Sequence, residues 1–179
     1  CFDQPYPCER DGVYQAGKIY TVRIRTVRQE LAEYLSERLV RQQTAVLAGS
    51  GGELRILPRK LLEKVYTLTP LLLKTSEGYW RGVLTPSAFE SRLKTNLIKK
   101  YNQLNQTNLE EDFPLYRSIH FQNRKPIAVP YKNITLLGDK ICLTAAAHER
   151  SQELLYMALG TGVGENNARG NGFLHYRYL

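Results

Sequence analysis

Five of the chain's thirteen glycines fall within fourteen residues of the C-terminal end, in the stretch "GTGVGENNARGNGF" that begins at Gly160. Written by spacing, it is Gly162-x-Gly164, five residues, then Gly170-x-Gly172, with Asn166, Asn167 and Arg169 between the pairs. Such a loop combines backbone amides that a ligand can approach closely with side-chain donors, the chemistry of an anion or polyanion cradle. It lies after a helical pattern and before a strand pattern. Dinucleotide and phosphate-binding glycine loops follow a strand and open a helix, so neither reading fits, and the lysine of a phosphate-binding loop is absent. The plainer alternative is a flexible connection between two elements.

Charge points the same way. Twenty-five Lys and Arg against 17 Asp and Glu give a formal net charge of +8 over 179 residues, which favours a polyanionic partner such as nucleic acid or an anionic membrane. No basic amphipathic helix dominates and no apolar run has the length of a membrane span, so the membrane reading is the weaker one. The three histidines (His120, His148 and His175) are scattered, and Cys1, Cys8 and Cys142 form no CxxC pair. Neither a metal site nor a disulfide framework is expected, and no cofactor. With no secretory signal, a reducing cytoplasm is the expected compartment.

The elements that must position the loop follow from periodicity. "KIYTVRIRTV" alternates Tyr20, Val22 and Ile24 with Thr21, Arg23 and Arg25, as a half-buried strand does. "RQELAEYLSERLVRQQ" repeats Leu31, Leu35 and Leu39 at helical spacing, and "TAVLAGSGGELRILP" holds a turn between two short apolar segments. The first third thus predicts strand, strand, helix, strand after an irregular start. "EKVYTLTPLLLK" predicts a strand, with "YWRGVL" as a short extension of it. "TPSAFESRLKTNLIKKYNQLNQ" predicts a helix, with Thr85 as N-cap, Pro86 at the first turn, and Phe89, Leu93, Leu97 and Tyr101 in one stripe. "YRSIHFQNRKPIAVPYK" and "ITLLGDKICLTAA" predict two strands about a turn at Asn133. "ERSQELLYMALG" predicts a helix stopped by Gly160, and "FLHYRYL" a last strand.

From about Glu63 the order is strand, helix, strand, strand, helix, strand, the ferredoxin-like order. The expected class is α+β, with tandem ferredoxin-like units. The first, residues 1–62, is incomplete and lacks its opening strand and helix. The second, residues 63–179, carries the glycine loop.

The segment "ALGTGVGENNARGNGF" resembles the C-terminal glycine-rich loop of the CRISPR repeat-processing endoribonucleases of the RAMP superfamily. "DGVYQAGKIYTVRIRT", "VYTLTP", "LKTNLIKKYN" and "VPYKNITLLGDK" match the same family in order, so the resemblance spans essentially the whole chain. It implies a metal-independent RNase that cuts precursor transcripts within each CRISPR repeat. The ribose 2′-hydroxyl attacks the adjacent phosphate and leaves a 2′,3′-cyclic phosphate, which requires a base, an acid and a cation for the phosphorane. It implies repeat RNA as the partner, with other effector subunits and a homodimer left open. The alternative is a non-catalytic RNA-binding RAMP subunit of an effector complex.

Under that resemblance the RNA-binding candidates are Gly162, Gly164, Asn166, Asn167, Arg169, Gly170, Gly172 and His175, with Arg23, Arg25, Arg124 and Lys125. The family's catalytic histidine, where present, lies in or near the first helix of the first unit. No histidine precedes His120, so no catalytic residue is assigned within the chain and the catalytic group is expected upstream of Cys1. Each candidate also has a plainer role. His120 reads as a solvated strand position and His148 as a helix-cap residue. Arg23 and Arg25 read as the solvated face of a strand, and Arg124–Lys125 as a basic turn. Lys99 and Lys100 near a helix end read as dipole partners as readily as RNA contacts.

Overall fold

The computed structural model describes residues 1–110 and 112–179. Its centre is a four-stranded antiparallel sheet of β1 (Leu62–Thr67), β2 (Tyr116–Phe121), β5 (Ile141–Ala145) and β6 (Leu174–Tyr178), in spatial order β2-β5-β1-β6. Helices α2 (Pro86–Asn105) and α3 (Glu149–Thr161) are the crossovers. Element order and strand order together are ferredoxin-like, as the periodicity predicts.

Both crossover helices form for legible reasons. In α2 the Thr85 hydroxyl accepts from the Ala88 amide and Pro86 takes the first turn, where a missing N–H costs nothing. Phe89, Leu93 and Leu97 are fully buried against the sheet. In α3 the buried stripe is Leu154, Leu155, Ala158 and Leu159. Trp80, Phe89 and Phe121 close one end of this core, with ring centroids 4.2–5.4 Å apart.

Several predicted elements are corrected. "YWRGVL" is not a strand but a 3-10 turn at Trp80–Gly82. The cause is the buried carboxylate of Asp139, which accepts from the Tyr79 hydroxyl and the Trp80 indole, each at 2.6 Å. Arg81 (2.9 Å) and Asn123 (2.8 Å) complete its shell. The two long strands predicted about Asn133 are four. Between β2 and β5 stands a separate hairpin, β3 (Ile127–Tyr131) and β4 (Ile134–Gly138), turning at Lys132–Asn133 as predicted. It separates from the main sheet because Asn123 and Asp139 form a polar knot at its base.

In the first third the helix forms as α1 (Gln29–Leu39), but the flanking strands shrink to isolated bridges, Phe2↔Ile24 and Tyr6↔Thr21. Among the described residues no neighbouring strand offers either segment a ladder, so alternation alone does not make a strand. Residues 51–61 lead into β1 without an assigned helix or strand, held by the Leu179 amide donating to the Leu61 carbonyl and the Tyr178 hydroxyl to the Pro58 carbonyl.

Candidate functional site

The glycine loop is not a slack connection. Its start takes over from α3 at Gly162, and Val163 and Gly172 are joined across its neck by the bond from the Val163 amide to the Gly172 carbonyl (2.9 Å). Its edges hydrogen-bond to the irregular run after β1: the Gly172 amide to the Pro70 carbonyl, the Glu165 amide to the Leu72 carbonyl, and the Phe173 amide to the Thr69 hydroxyl. The "TPLLLK" stretch therefore serves as the loop's seat, not as more strand.

Two side chains fill the loop from within. Asn167 donates from its amide to the Val163 and Asn171 carbonyls, both at 2.9 Å. Lys100 reaches across from α2 and donates to the Gly162 carbonyl (3.0 Å), the Gly164 carbonyl (2.8 Å) and Asn167 Oδ1 (2.6 Å). All three protons of the ammonium are thus used. Burial lowers the Lys100 pKa to about 8, with Glu165 opposing the shift. Sequence reading places Lys100 at a helix end or on RNA; instead it points inward and braces the loop. The signal was its helical spacing from Leu93 and Leu97, which puts it at the edge of the buried stripe.

The glycines are needed chiefly for this packing. At Gly172 (φ +66°) a Cβ would lie 1.9 Å from the Val163 carbonyl oxygen, and at Gly164 (φ +68°) 2.5 Å from the Leu72 carbonyl oxygen. Their bareness lets the loop close on its own chain.

What the loop presents outward is narrower. Arg169 is exposed at its tip, its guanidinium 4.7 Å from the ring centre of Tyr131 on the β3–β4 hairpin. Asn166 holds a left-handed turn (φ 57°), and its side-chain nitrogen is buried with no acceptor among the described residues. Gly170 packs against the Phe2 ring. Between the loop tip, the hairpin and the first residues of the chain lies a groove of about 270 Å³, lined by Phe2, Pro70, Ile127, Val129, Arg169 and Asn171 among others.

The other candidates separate into two groups. Arg23 and Arg25 converge on the loop's exit. Arg23 is paired with the buried Asp3 at 2.5 Å. Arg25 lies 4.6 Å over Phe173 and 5.3 Å from the Tyr176 ring centre, and donates to the Leu174 carbonyl. His175 follows the loop on β6, where Nδ1 lies 3.1 Å from the Tyr66 hydroxyl and accepts from the Tyr176 amide at 2.8 Å. Burial first, and the nearby Arg25 and Arg23, lower its pKa below 6.5. Arg124 and Lys125 stand apart at the base of the hairpin, both exposed, where Arg81 donates to the Arg124 and Asn123 carbonyls. His120 is exposed on β2, and His148 precedes α3 with its ring stacked on Phe113. Among the described residues no helix is long and apolar enough to cross a membrane.

The protein is therefore an α+β protein of the ferredoxin-like class, whose last crossover ends in a braced glycine loop with arginines around its exit. The family described as "CRISPR associated protein Cas6, C-terminal" matches residues 57–176, which takes in the four-stranded sheet as far as the middle of β6, its two crossover helices and the glycine loop. The chain belongs to this Cas6 family. Membership supports, at that level, the processing or binding of CRISPR repeat RNA. A solved structure titled "CRISPR associated protein Cas6" has the same fold, with a TM-score of 0.66 over 92% of this chain and 73% of that one, at 20% identity. Among curated proteins none matches the sequence.

Proposed function

We propose that the chain binds CRISPR repeat RNA at the glycine loop and serves a metal-independent endoribonuclease that cuts precursor transcripts within the repeats. The chain would divide near residue 62 into an incomplete first ferredoxin-like unit and a complete second one. In the reaction a base removes the 2′-hydroxyl proton and the alkoxide attacks the adjacent phosphorus. The bond to the 5′-oxygen breaks, and an acid returns a proton to that oxygen, leaving a 2′,3′-cyclic phosphate and a 5′-hydroxyl. The observation that carries the reading is the family match over residues 57–176, which includes the loop.

The geometry supports the following roles. Arg169, exposed beside the hairpin, is the loop residue suited to a phosphate, while Asn167 and the glycines hold the loop in shape for it. Arg124 and Lys125 extend the basic surface along the hairpin base, and Arg23 and Arg25 line the loop's exit. No loop residue is assigned as the base. His175 is not assigned as one either, its Nδ1 being engaged with the Tyr176 backbone and the Tyr66 hydroxyl.

Because no catalytic residue is assigned within the chain, a second reading stands beside the first, a non-catalytic RNA-binding subunit of an effector complex. Incubating the protein with its repeat RNA in EDTA separates the two. Cleavage that stops when the scissile nucleotide is 2′-deoxy supports the nuclease; unchanged cleavage of the 2′-deoxy RNA refutes the mechanism. Tight binding without cleavage selects the subunit. The clean binding probe is Arg169→Ala, since a side chain at Gly170 (φ +85°) would strain the backbone and press on Phe2. Arg169→Ala is expected to weaken repeat binding about tenfold with the melting temperature unchanged.

A further inference from the structure

The sheet has one face with helices and one without, and the loop occupies neither. α3 packs against the face that carries Val65, Leu143 and Leu174, and Phe89, Leu93 and Leu97 of α2 belong to the same buried cluster. On the opposite face, strand register lines up two transverse rows. One is His120–Cys142–Tyr66–His175, read across β2, β5, β1 and β6. The next is Ser118–Thr144–Lys64–Arg177. Contacts confirm that these side chains share a face: Ser118 Oγ donates to Thr144 Oγ1 at 3.0 Å, and the Tyr66 and His175 rings lie 5.2 Å apart and 24° from parallel. Arg117 joins the second row from the irregular register at the start of β2, donating to the Ala145 carbonyl.

None of these residues is buried, and His120, Arg117 and Arg177 are exposed. The face carries no large aliphatic side chain in either row. Its charges are Lys64, Arg117 and Arg177 against Glu63, which pairs with Arg177 in two hydrogen bonds. It is thus polar, net positive, and centred on two aromatic rings. A protein partner would have to desolvate three cations there, whereas interface cores are depleted of charge. A polyanion with flat bases matches both the charge and the rings.

We propose that this helix-free face is a second RNA-contact surface, on which Tyr66 and His175 stack unpaired bases while Lys64, Arg117 and Arg177 hold the phosphates. It rests on the RNA reading above and adds a substrate class, single-stranded repeat flanks, at a place separate from the glycine loop. Stacking on a sheet selects unpaired nucleotides, because bases inside a duplex offer no free face. The loop and the sheet face therefore address different parts of one transcript.

The test measures fluorescence anisotropy with two probes: an oligouridylate of about twelve nucleotides and the repeat RNA of the same locus. Three variants of the whole chain are compared with wild type: Tyr66→Leu, Lys64→Ala with Arg177→Ala, and Arg169→Ala. Tyr66→Leu is expected to weaken oligouridylate binding about tenfold, and Tyr66→Phe, which keeps the ring, to restore it. The double variant should lower the slope of log affinity against log salt by about 1.4, two phosphates at about 0.7 each. Arg169→Ala should affect the repeat RNA more than the oligouridylate. If the face variants bind both probes like wild type while Arg169→Ala still weakens the repeat, the sheet-face proposal fails and the RNA reading stands. If wild type binds neither probe, both fail. If the face variants change self-association in sedimentation velocity but not RNA affinity, the face is a protein interface and the proposal is overturned.

Discussion

Helices α1 and α2 look alike in sequence, each with leucines at four-residue steps and charges opposite, yet they live differently. In α2, Phe89, Leu93 and Leu97 are buried, the N-terminus is capped by Thr85, and Lys100 braces the glycine loop. In α1 no residue is buried, no side chain caps the N-terminus, and Leu31 and Leu39 remain about two-fifths exposed. The contrast extends to the flanks, since Val46, Leu47 and Ile56 around α1 are among the most exposed apolar side chains in the chain. Helical periodicity states which face a helix can bury. Whether anything receives that face is decided by the rest of the fold.

The sharpest way to break the contrast is truncation at matched positions. Leu97→Ala should cost about 2–5 kcal/mol in denaturant unfolding, whereas Leu31→Ala should stay within about 0.5 kcal/mol. Equal losses would mean that α1 is packed as firmly as α2.

Next in size is the polar knot that separates the hairpin from the sheet. Asp139→Ala strands four donors, from Tyr79, Trp80, Arg81 and Asn123, and is expected to cost about 3 kcal/mol. Its Trp80 fluorescence should change as well, because the indole loses its acceptor. An unperturbed Trp80 spectrum would show that the turn at Trp80–Gly82 does not depend on the carboxylate.

Lys100→Met removes three hydrogen bonds from inside the loop and should cost about 2 kcal/mol, with faster amide exchange at Gly164 and Glu165. Its pH dependence has a defined sign. The folded pKa is about 8 and the ordinary value 10.5, so between those pH values the unfolded chain holds more of this proton than the folded one. Lys100's contribution to stability therefore rises from pH 8 to 10.5 and is flat below about pH 7. The wild-type-minus-variant difference in unfolding free energy should show that rise; a fall over the same range would mean that the amine is not the buried group.

The smallest effect is at the loop's outer side. Arg169→Ala should leave stability within about 0.5 kcal/mol, as expected for an exposed cation stacked on Tyr131, while reducing repeat-RNA affinity. A large stability loss would make Arg169 another brace of the loop instead of a contact.

Much of the chain from β1 onward was legible. Thr85–Pro86 announces α2, the turn at Asn133 falls where it was expected, and the βαββαβ order follows from period changes alone. What was not legible depends on partners distant in sequence. "YWRGVL" has strand composition, but Asp139, about sixty residues away, draws Tyr79 and Trp80 into a turn. "KIYTVRIRTV" alternates like a strand, but among the described residues it finds only single bridges to pair with. In the candidate site, the residue types were visible but their directions were not. The asparagines and glycines read as outward donors and open backbone, whereas Asn167 and Gly172 turn out to serve the loop's interior. The sheet-face rows could not be read at all without register, since Tyr66 and His175 lie 109 positions apart.

The sequence by itself determined the class of fold, the glycine loop's position between a helix and a strand, and the positive balance that suits a polyanion. Those properties are local or additive: periodicity, caps, glycine spacing and summed charge need no partner. The tertiary structure alone decided that Lys100 braces the loop, that Arg169 is its outward cation, and that none of α1's leucines is buried. Each of those depends on which groups meet across the fold, where burial and hydrogen bonding choose among conformations that the local sequence leaves equally open.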